Sequence, residues 1–293
     1  MIEWAWRASG DLDPDWKLRS KFVLAALRHP ASARKLKDLH PNSALGQLVE
    51  EWPDTVGFQL WPYQCAAWDA STRFARIEDH LRSAEALGLS LSPDEKLVLA
   101  DLGEISPGAS LILDRAKWLS REGHLTLSLF KNDFRAFTTS FSLSKHPQTE
   151  IFVGGLQGRQ DGTILDLYRD LTKDFHGIRP RDFMIEAMRL FANRIGAQRL
   201  FAVADQFKIS RHAYFGAKGA AGLFYDEIWQ ERGGVKVDEA HFELPIEGTR
   251  RSLDDVPAKK RAMYRRRYEM LDRIEALLPR DFSGAERRHF DAT

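Results

Sequence analysis

The stretch GHLTLSLFKNDFRAFTTSFSLSKHPQTEIFVGGLQG, residues 123–158, decides the fold. Residues 124–130, 134–143 and 149–156 form three short runs rich in Leu, Phe, Thr and Val, with a period of two. Lys131-Asn132-Asp133 and Ser144-Lys145-His146-Pro147 separate them with turn-forming residues. This spacing predicts an antiparallel meander. Downstream the period changes to that of a helix. Over 161–175, Ile164, Leu167, Tyr168, Leu171 and Phe175 mark one face, with Gly177 as the stop. Pro180 opens a second helix along Met184, Ala187, Met188, Phe191 and Ile195, ended by Gly196. RLFAVA, 199–204, then reads as a buried strand. A strand, two helices and a strand predict a crossover back to the same sheet, with parallel or mixed pairing.

Further out, 225–232 reads as a short helix stopped by Gly233-Gly234, 241–246 as a last strand and 257–278 as a long closing helix. Upstream, helices are expected over 15–28, 30–39, 43–52 and 70–87, the last with Phe74, Ile77, Leu81 and Ala84 in helical steps. There is no internal repeat. The expected fold is therefore α+β: a helical N-terminal region, 1–105, followed by a mixed, mostly antiparallel sheet flanked by helices, 106–293, with a basic C-terminal helix.

Composition narrows the chemistry. A chain of 293 residues can bury a large core without disulfide or metal staples. Its lone Cys65 excludes an internal disulfide and a multi-cysteine zinc site. With 43 basic against 42 acidic side chains, a general DNA-coating role is disfavoured. The first 14 residues lack the basic start, apolar stretch and cleavage site of a signal peptide, and no run is apolar enough to span a membrane, so a cytoplasmic protein without an integral membrane segment is expected. Eight Trp and 18 Phe point to a bulky core. Walker A, Gly-x-Gly-x-x-Gly, His-Glu-x-x-His and Gly-x-Ser-x-Gly motifs are all missing, and no metal is expected.

Four places carry candidate chemistry. Gly154 and Gly155 interrupt a strand, which marks either a bulge that turns the sheet or a close approach to a ligand, and Gln157 follows at the strand's carboxyl end. His176-Gly177-Ile178-Arg179-Pro180-Arg181 leads into a helix start, where unpaired N–H groups and two guanidiniums favour an anion, unless the arginines are merely solvated and His176 caps the preceding helix. Asp205 follows a buried strand, with Arg211, His212 and Tyr214 a few residues on; it is either an acid–base group or a loop cap. Residues 259–268, KKRAMYRRRY, place six cations and two tyrosines on the closing helix, as a solvated face or a grip on a polyanion. His80, one step from an apolar helix face, reads as structural.

The blocks IFVGGLQG (151–158), LTKDFHGIRPRDFMIEA (171–187), RLFAVAD (199–205), YDEIW (225–229), FELP (242–245) and KKRAMYRRRY (259–268) resemble the VirK/YbjX family of bacterial proteins. That resemblance covers about residues 18–278. It implies a cytoplasmically made protein associated with virulence and with envelope or antimicrobial-peptide phenotypes, and it supplies no catalytic residues. A second similarity is architectural. A meander, a bulged strand, a helix with an anion-friendly start and a following strand resemble the acyl-CoA N-acyltransferase (GNAT) fold, in which the bulged strand splays from its neighbour and the coenzyme A pyrophosphate rests on the helix start. Here the turn carries one glycine, Gly177, and an extra helix, 161–175, intervenes.

The GNAT similarity implies transfer of an acyl group from a coenzyme A-type or aminoacyl-tRNA donor to an amine or hydroxyl of a peptide or envelope component. On that reading Arg179 and Arg181, with Gly177, hold donor phosphates. Gln157 and the Gly154-Gly155 backbone orient the acyl carbonyl, and His176 or Asp205 is the base. Lys259, Arg261 and Arg265 add grip on the donor, most fully on a tRNA. The alternative is a non-enzymatic adaptor that binds an acidic partner or anionic lipid through 259–267.

Overall fold

Alternation along the central strands gives the sheet two unlike faces. On β3 (Leu125–Lys131) and β4 (Phe134–Ser144), Leu125, Leu127, Leu129 and Phe141 point one way, and Thr126, Ser128, Thr138, Ser140 and Ser142 the other. The apolar side meets α7 (Pro180–Arg194), where the Phe141 and Phe191 rings stand 5.6 Å apart. The polar side is buried too: Thr126 bonds Asp114 and Ser128 bonds Thr138 within the sheet, and the hydroxyls at the end of β4 are met by polar groups of the N-terminal part. Ser142 donates to Gln64 Oε1 at 2.7 Å, and Ser144 donates to Asp79 of α5 (Ala70–Ala86) at 2.5 Å. In the same region the Leu143 N–H donates to His80 Nδ1 at 3.1 Å, which confirms the structural reading of that histidine.

The computed structural model describes residues 1–145, 147–159, 162, 164–212, 214 and 223–289. The meander is complete in β3, β4 and β5 (Glu150–Gly158), and β6 (Arg199–Val203) joins β5 in parallel after the crossover through α6 (Ile164–Asp174) and α7. The expected α6 start at 161 and the turn residue His146 lie outside the described residues. The sheet is wider than the sequence suggests. The last strand expected at 241–246 is β8 (His241–Leu244), and β1 (Glu95–Asp101), β2 (Ala109–Asp114), β7 (Val235–Lys236) and β9 (Arg287–His289) are added to the sheet, in the order β7-β8-β6-β5-β4-β3-β2-β1-β9. All its pairings but β5–β6 are antiparallel.

The division at 105 is therefore moved. β1 lies inside the region expected to be helical, yet it pairs with β2 across that boundary, and the helical part ends before residue 95. Side chains of the helical part and of both sheet faces share a continuous core, which includes Trp52, Phe74, Leu127 and Phe191. The helical part has α1 (Ile2–Leu12), which was not anticipated, then α2 (Trp16–Arg28), α3 (Pro30–Lys37), α4 (Ala44–Glu51) and α5. Local chemistry sets these starts: Asp15, Ser43 and Asp69 cap α2, α4 and α5, and Pro30 occupies the first turn of α3. After β6 come α8 (Tyr225–Glu231) and α9 (Ala258–Leu277), the latter packed on α7. No helix among the described residues is long and apolar enough to cross a membrane.

Candidate functional site

The glycine pair in β5 is a bulge with a specific partner. Ser140 pairs with Gly155 and Phe141 with Val153, so Gly154 is the extra residue. A Cβ on Gly154 would stand 2.2 Å from the Glu122 carbonyl oxygen, and one on Gly155 would stand 1.8 Å from Glu122 Oε2. The close approach that forbids side chains here is thus made by Glu122, from the β2–β3 connection, which occupies the space beside the Gly154-Gly155 backbone.

Several contacts fix this meeting. Gln157 Nε2 donates to Glu122 Oε1 at 2.6 Å. Gln64 Nε2 donates to the Phe152 carbonyl at 3.1 Å and the Glu122 carbonyl at 3.3 Å, while the Gln64 N–H donates to the Arg121 carbonyl at 2.7 Å. Glu122 Oε2 is enclosed and has no hydrogen-bond partner among the described residues. Burial pushes the Glu122 carboxyl up to about 7, against the smaller opposing effects of the Gln157 hydrogen bond and the Lys208 charge. A carboxyl poised there exchanges protons readily at neutral pH, which suits a general acid–base group. It also lies at the edge of a cavity of about 760 Å³ with aromatic and aliphatic walls, Trp52, Phe58, Trp118 and Ile209, and cationic Lys117 and Arg121 at its lining.

On the other flank β5 and β6 part. Their ladder ends at Val153 and Ala202, and β5 runs on to Gly158. The hydroxyl of Tyr225, at the start of α8, fills the gap: it accepts from the Leu156 N–H at 2.8 Å and donates to the Leu156 carbonyl at 3.2 Å. Asp205, just past β6, accepts from the Tyr225 N–H at 3.1 Å, from Lys208 Nζ at 2.9 Å and from Arg211. Burial alone would raise its carboxyl, but these hydrogen bonds and cations outweigh burial and hold it below the ordinary value. Asp205 is consequently a firmly ionised anchor for Lys208 and the α8 start, the loop-cap alternative, and a poor proton acceptor.

The α6–α7 loop is arranged differently. His176 and Gly177 both take positive φ, 49° and 82°, and Arg267 of α9 donates to the His176 carbonyl at 2.9 Å. Burial, then Arg266 and Arg267, lower the His176 imidazole. Its contacts are thus with α9, on the α7 side of the sheet, whereas Glu122 and Gln64 are on the α5 side. Arg181 is committed to Asp182 at 2.7 Å and Glu231 at 2.8 Å, and buried Asp182, in the first turn of α7, already supplies negative charge at the helix start. Arg179 and Arg169 are both exposed beside the cavity of about 430 Å³ lined by Phe137, Tyr168 and Thr172, and Arg169 is paired with Asp166 at 2.5 Å. On α9, Lys259, Lys260, Arg261, Arg265 and Arg266 are exposed, and Arg261 donates to the Val256 carbonyl at 3.0 Å. The structure therefore brings Gln157, Gly154, Gly155 and Asp205 together around one strand end and sets His176, Gly177 and the α9 cations apart from them.

Glu122 was not singled out in the sequence. Its signal was indirect: a glycine pair that demands a close neighbour, with the neighbour itself a single carboxylate between Arg121 and Gly123.

Comparison with known proteins agrees with the VirK/YbjX resemblance. The family described as "Protein of unknown function (DUF535)" matches residues 14–279. "Uncharacterized protein YbjX" of Escherichia coli (strain K12) is 34% identical over 279 residues, covering 91% of this chain and 84% of that protein. An "Uncharacterized protein" of Haemophilus influenzae is 29% identical over 74% of each chain, and a second is 28% identical over 71% of this chain and 70% of its own length. No solved structure matches the chain.

Proposed function

This chain belongs to the DUF535 family, and for it we propose acyl transfer in which Glu122 takes the proton of the attacking amine or hydroxyl. The observation that carries the reading is the Glu122 carboxyl, raised to about 7 at the edge of a largely apolar cavity and hydrogen-bonded to Gln157 where β5 bulges and parts from β6. Bulge and parting are the features of the GNAT-like plan. Supporting it less well are the α7 start, already balanced by Asp182, and the β5 edge, capped by Tyr225.

In this reading the acceptor occupies the Trp52–Trp118 cavity and Arg179 contributes to holding the anionic part of a coenzyme A-type donor. The acceptor nitrogen or oxygen attacks the thioester carbonyl carbon as Glu122 removes its proton. A C–N or C–O bond forms, the C–S bond breaks, and the proton ends on the departing thiol. Gln157 holds Glu122 Oε1 through its amide and so leaves Oε2, beside Gly155 and without a partner among the described residues, as the oxygen that takes the proton. An aminoacyl-tRNA donor would follow the same proton path with an oxygen leaving group, and would engage Lys259, Arg261 and Arg265. The acceptor class is a peptide or envelope-component amine or hydroxyl.

The test is a screen of the full chain with acyl-CoAs, reading thermal stability, free thiol and acceptor mass. A donor at about 100 times its dissociation constant adds about 2.7 kcal/mol to stability. Thiol release by the natural chain, lost in Glu122→Gln while stabilisation by donor persists, is expected; neither stabilisation nor thiol release with any donor sinks the reading. The exposed cations of α9 favour one competitor, a non-enzymatic adaptor for an acidic partner. That adaptor would lose its cellular effect on charge reversal at Lys259 and Lys260 and keep it in Glu122→Gln.

A further inference from the structure

The near-neutral total charge conceals a second basic segment. Residues 16–37 contain seven Lys or Arg and no Asp or Glu. They form α2 and α3, and in α2 the arrangement is specific. Phe22 and Ala26 are fully buried against α1 and α3 and define the inner face. At 3.6 residues per turn, the exposed residues occupy an arc of about 140° on the opposite side. Within it Trp16, Leu27 and Leu24 come first, and Lys17, Arg28 and Lys21 follow. Leu24, directly opposite the core face, is 46% exposed, Leu27 50% and Trp16 65%. Trp6 of α1, also exposed, adjoins α2 through Arg19, which stacks 4.1 Å from its ring, and Ile2, one turn earlier on α1, is exposed as well.

Exposed single apolar residues are ordinary, but five of the twelve large ones among the described residues fall within the first 27 positions. Water gives no reason to place Leu and Trp at the outermost line of a helix. A surface that is apolar below and anionic above does, because the apolar stripe enters the acyl boundary, tryptophan sits at the headgroup level and flanking lysines reach lipid phosphates. We propose that the exposed face of α2, with the adjoining ends of α1 and α3, docks on an anionic lipid surface and lies in its plane. Asp15, the carboxylate nearest the stripe in sequence, accepts from the Lys17 N–H as the α2 cap.

Co-sedimentation of the full chain with vesicles of phosphatidylcholine alone, and of an equal mixture with phosphatidylglycerol, tests this. Binding to the mixed vesicles and little to the neutral ones is expected. Lys17→Glu with Lys21→Glu should weaken it on the order of thirtyfold, and Leu24→Ser with Leu27→Ser at least about tenfold. Because these side chains are exposed, both variants should keep the natural circular dichroism and thermal midpoint. Lys173→Glu with Lys236→Glu, exposed cations of α6 and β7, should leave vesicle binding unchanged. The proposal is overturned if the natural chain fails to sediment with anionic vesicles at low salt, or if the serine pair binds as well as the natural chain. It is equally overturned if the surface holds tRNA with the charge dependence above and no dependence on Leu24 and Leu27, the behaviour of a nucleic-acid site.

Discussion

The Glu122–Gln157 cleft and the His176–Arg181 loop contain similar ingredients, a polar strand end or helix start with ionisable groups close by, but they differ in how completely those groups are satisfied. In the loop, Arg181 has two carboxylates, Asp182 has Arg181 and Arg232, and Arg267 is spent on the His176 carbonyl. In the cleft, one oxygen of Glu122 is bonded to Gln157 and the other is enclosed without a partner, and burial pushes the carboxyl up to about 7. Charge density locates where ions are; reactivity depends on what remains unpaired once the chain has folded.

The largest effect that separates the two regions is on turnover. With a donor found by the screen, Glu122→Gln should lower kcat/KM by about 10²- to 10⁴-fold, the range for a general base, while His176→Ala should change it by no more than about twofold. Equal losses in both would erase the distinction.

Next is stability against pH, for which Glu122 and Asp205 have opposite signs. The folded Glu122 carboxyl titrates above its unfolded value of 4.5, so the folded state binds more protons and stability falls as pH rises from about 4.5 to 7. The loss is roughly 3 kcal/mol at most, and Glu122→Gln should remove it, making the variant the more stable protein at pH 8. Asp205 titrates below 3.8 in the folded state, so its contribution is present above that value and lost as pH falls through the folded one. Asp205→Asn should therefore be the less stable protein at pH 7 and approach the natural chain in acid. Denaturant midpoints measured across pH decide both.

The glycines span a comparable effect and a smaller one. A Cβ on Gly154 meets a backbone oxygen at 2.2 Å, so Gly154→Ala forces the strand crossing apart, at a cost of about 3 kcal/mol. At Gly177 the nearest atom is the end of the flexible Arg267 side chain, 3.1 Å away, and Gly177→Ala should cost about 1 kcal/mol through its positive φ. Chemical unfolding of the two variants gives the order directly.

Much of this architecture is legible in residue patterns because the patterns are local. Alternation over 124–156 gives the meander, and capping residues and prolines give α2, α3, α4 and α7 nearly to the residue. The unread elements are those whose patterns are weak by themselves. In β1 the apolar run Leu97-Val98-Leu99-Ala100 is short and flanked by charge, and the charged Arg287–His289 segment is a strand only because β1 offers an edge. The site divides in the same way. Gln157 and Asp205 stand at ends of strands that can be read, whereas Glu122 matters because the β5 bulge brings it against residues far along the chain, and that contact has no local signature.

The most direct test of the central claim is the titration of Glu122 itself, followed by carboxyl ¹³C shifts in the full chain and assigned by their loss in Glu122→Gln. A midpoint near 7 is expected, rising further in Gln157→Ala, because the Gln157 hydrogen bond favours the ionised form. A midpoint near the ordinary 4.5, unchanged in Gln157→Ala, would contradict the account.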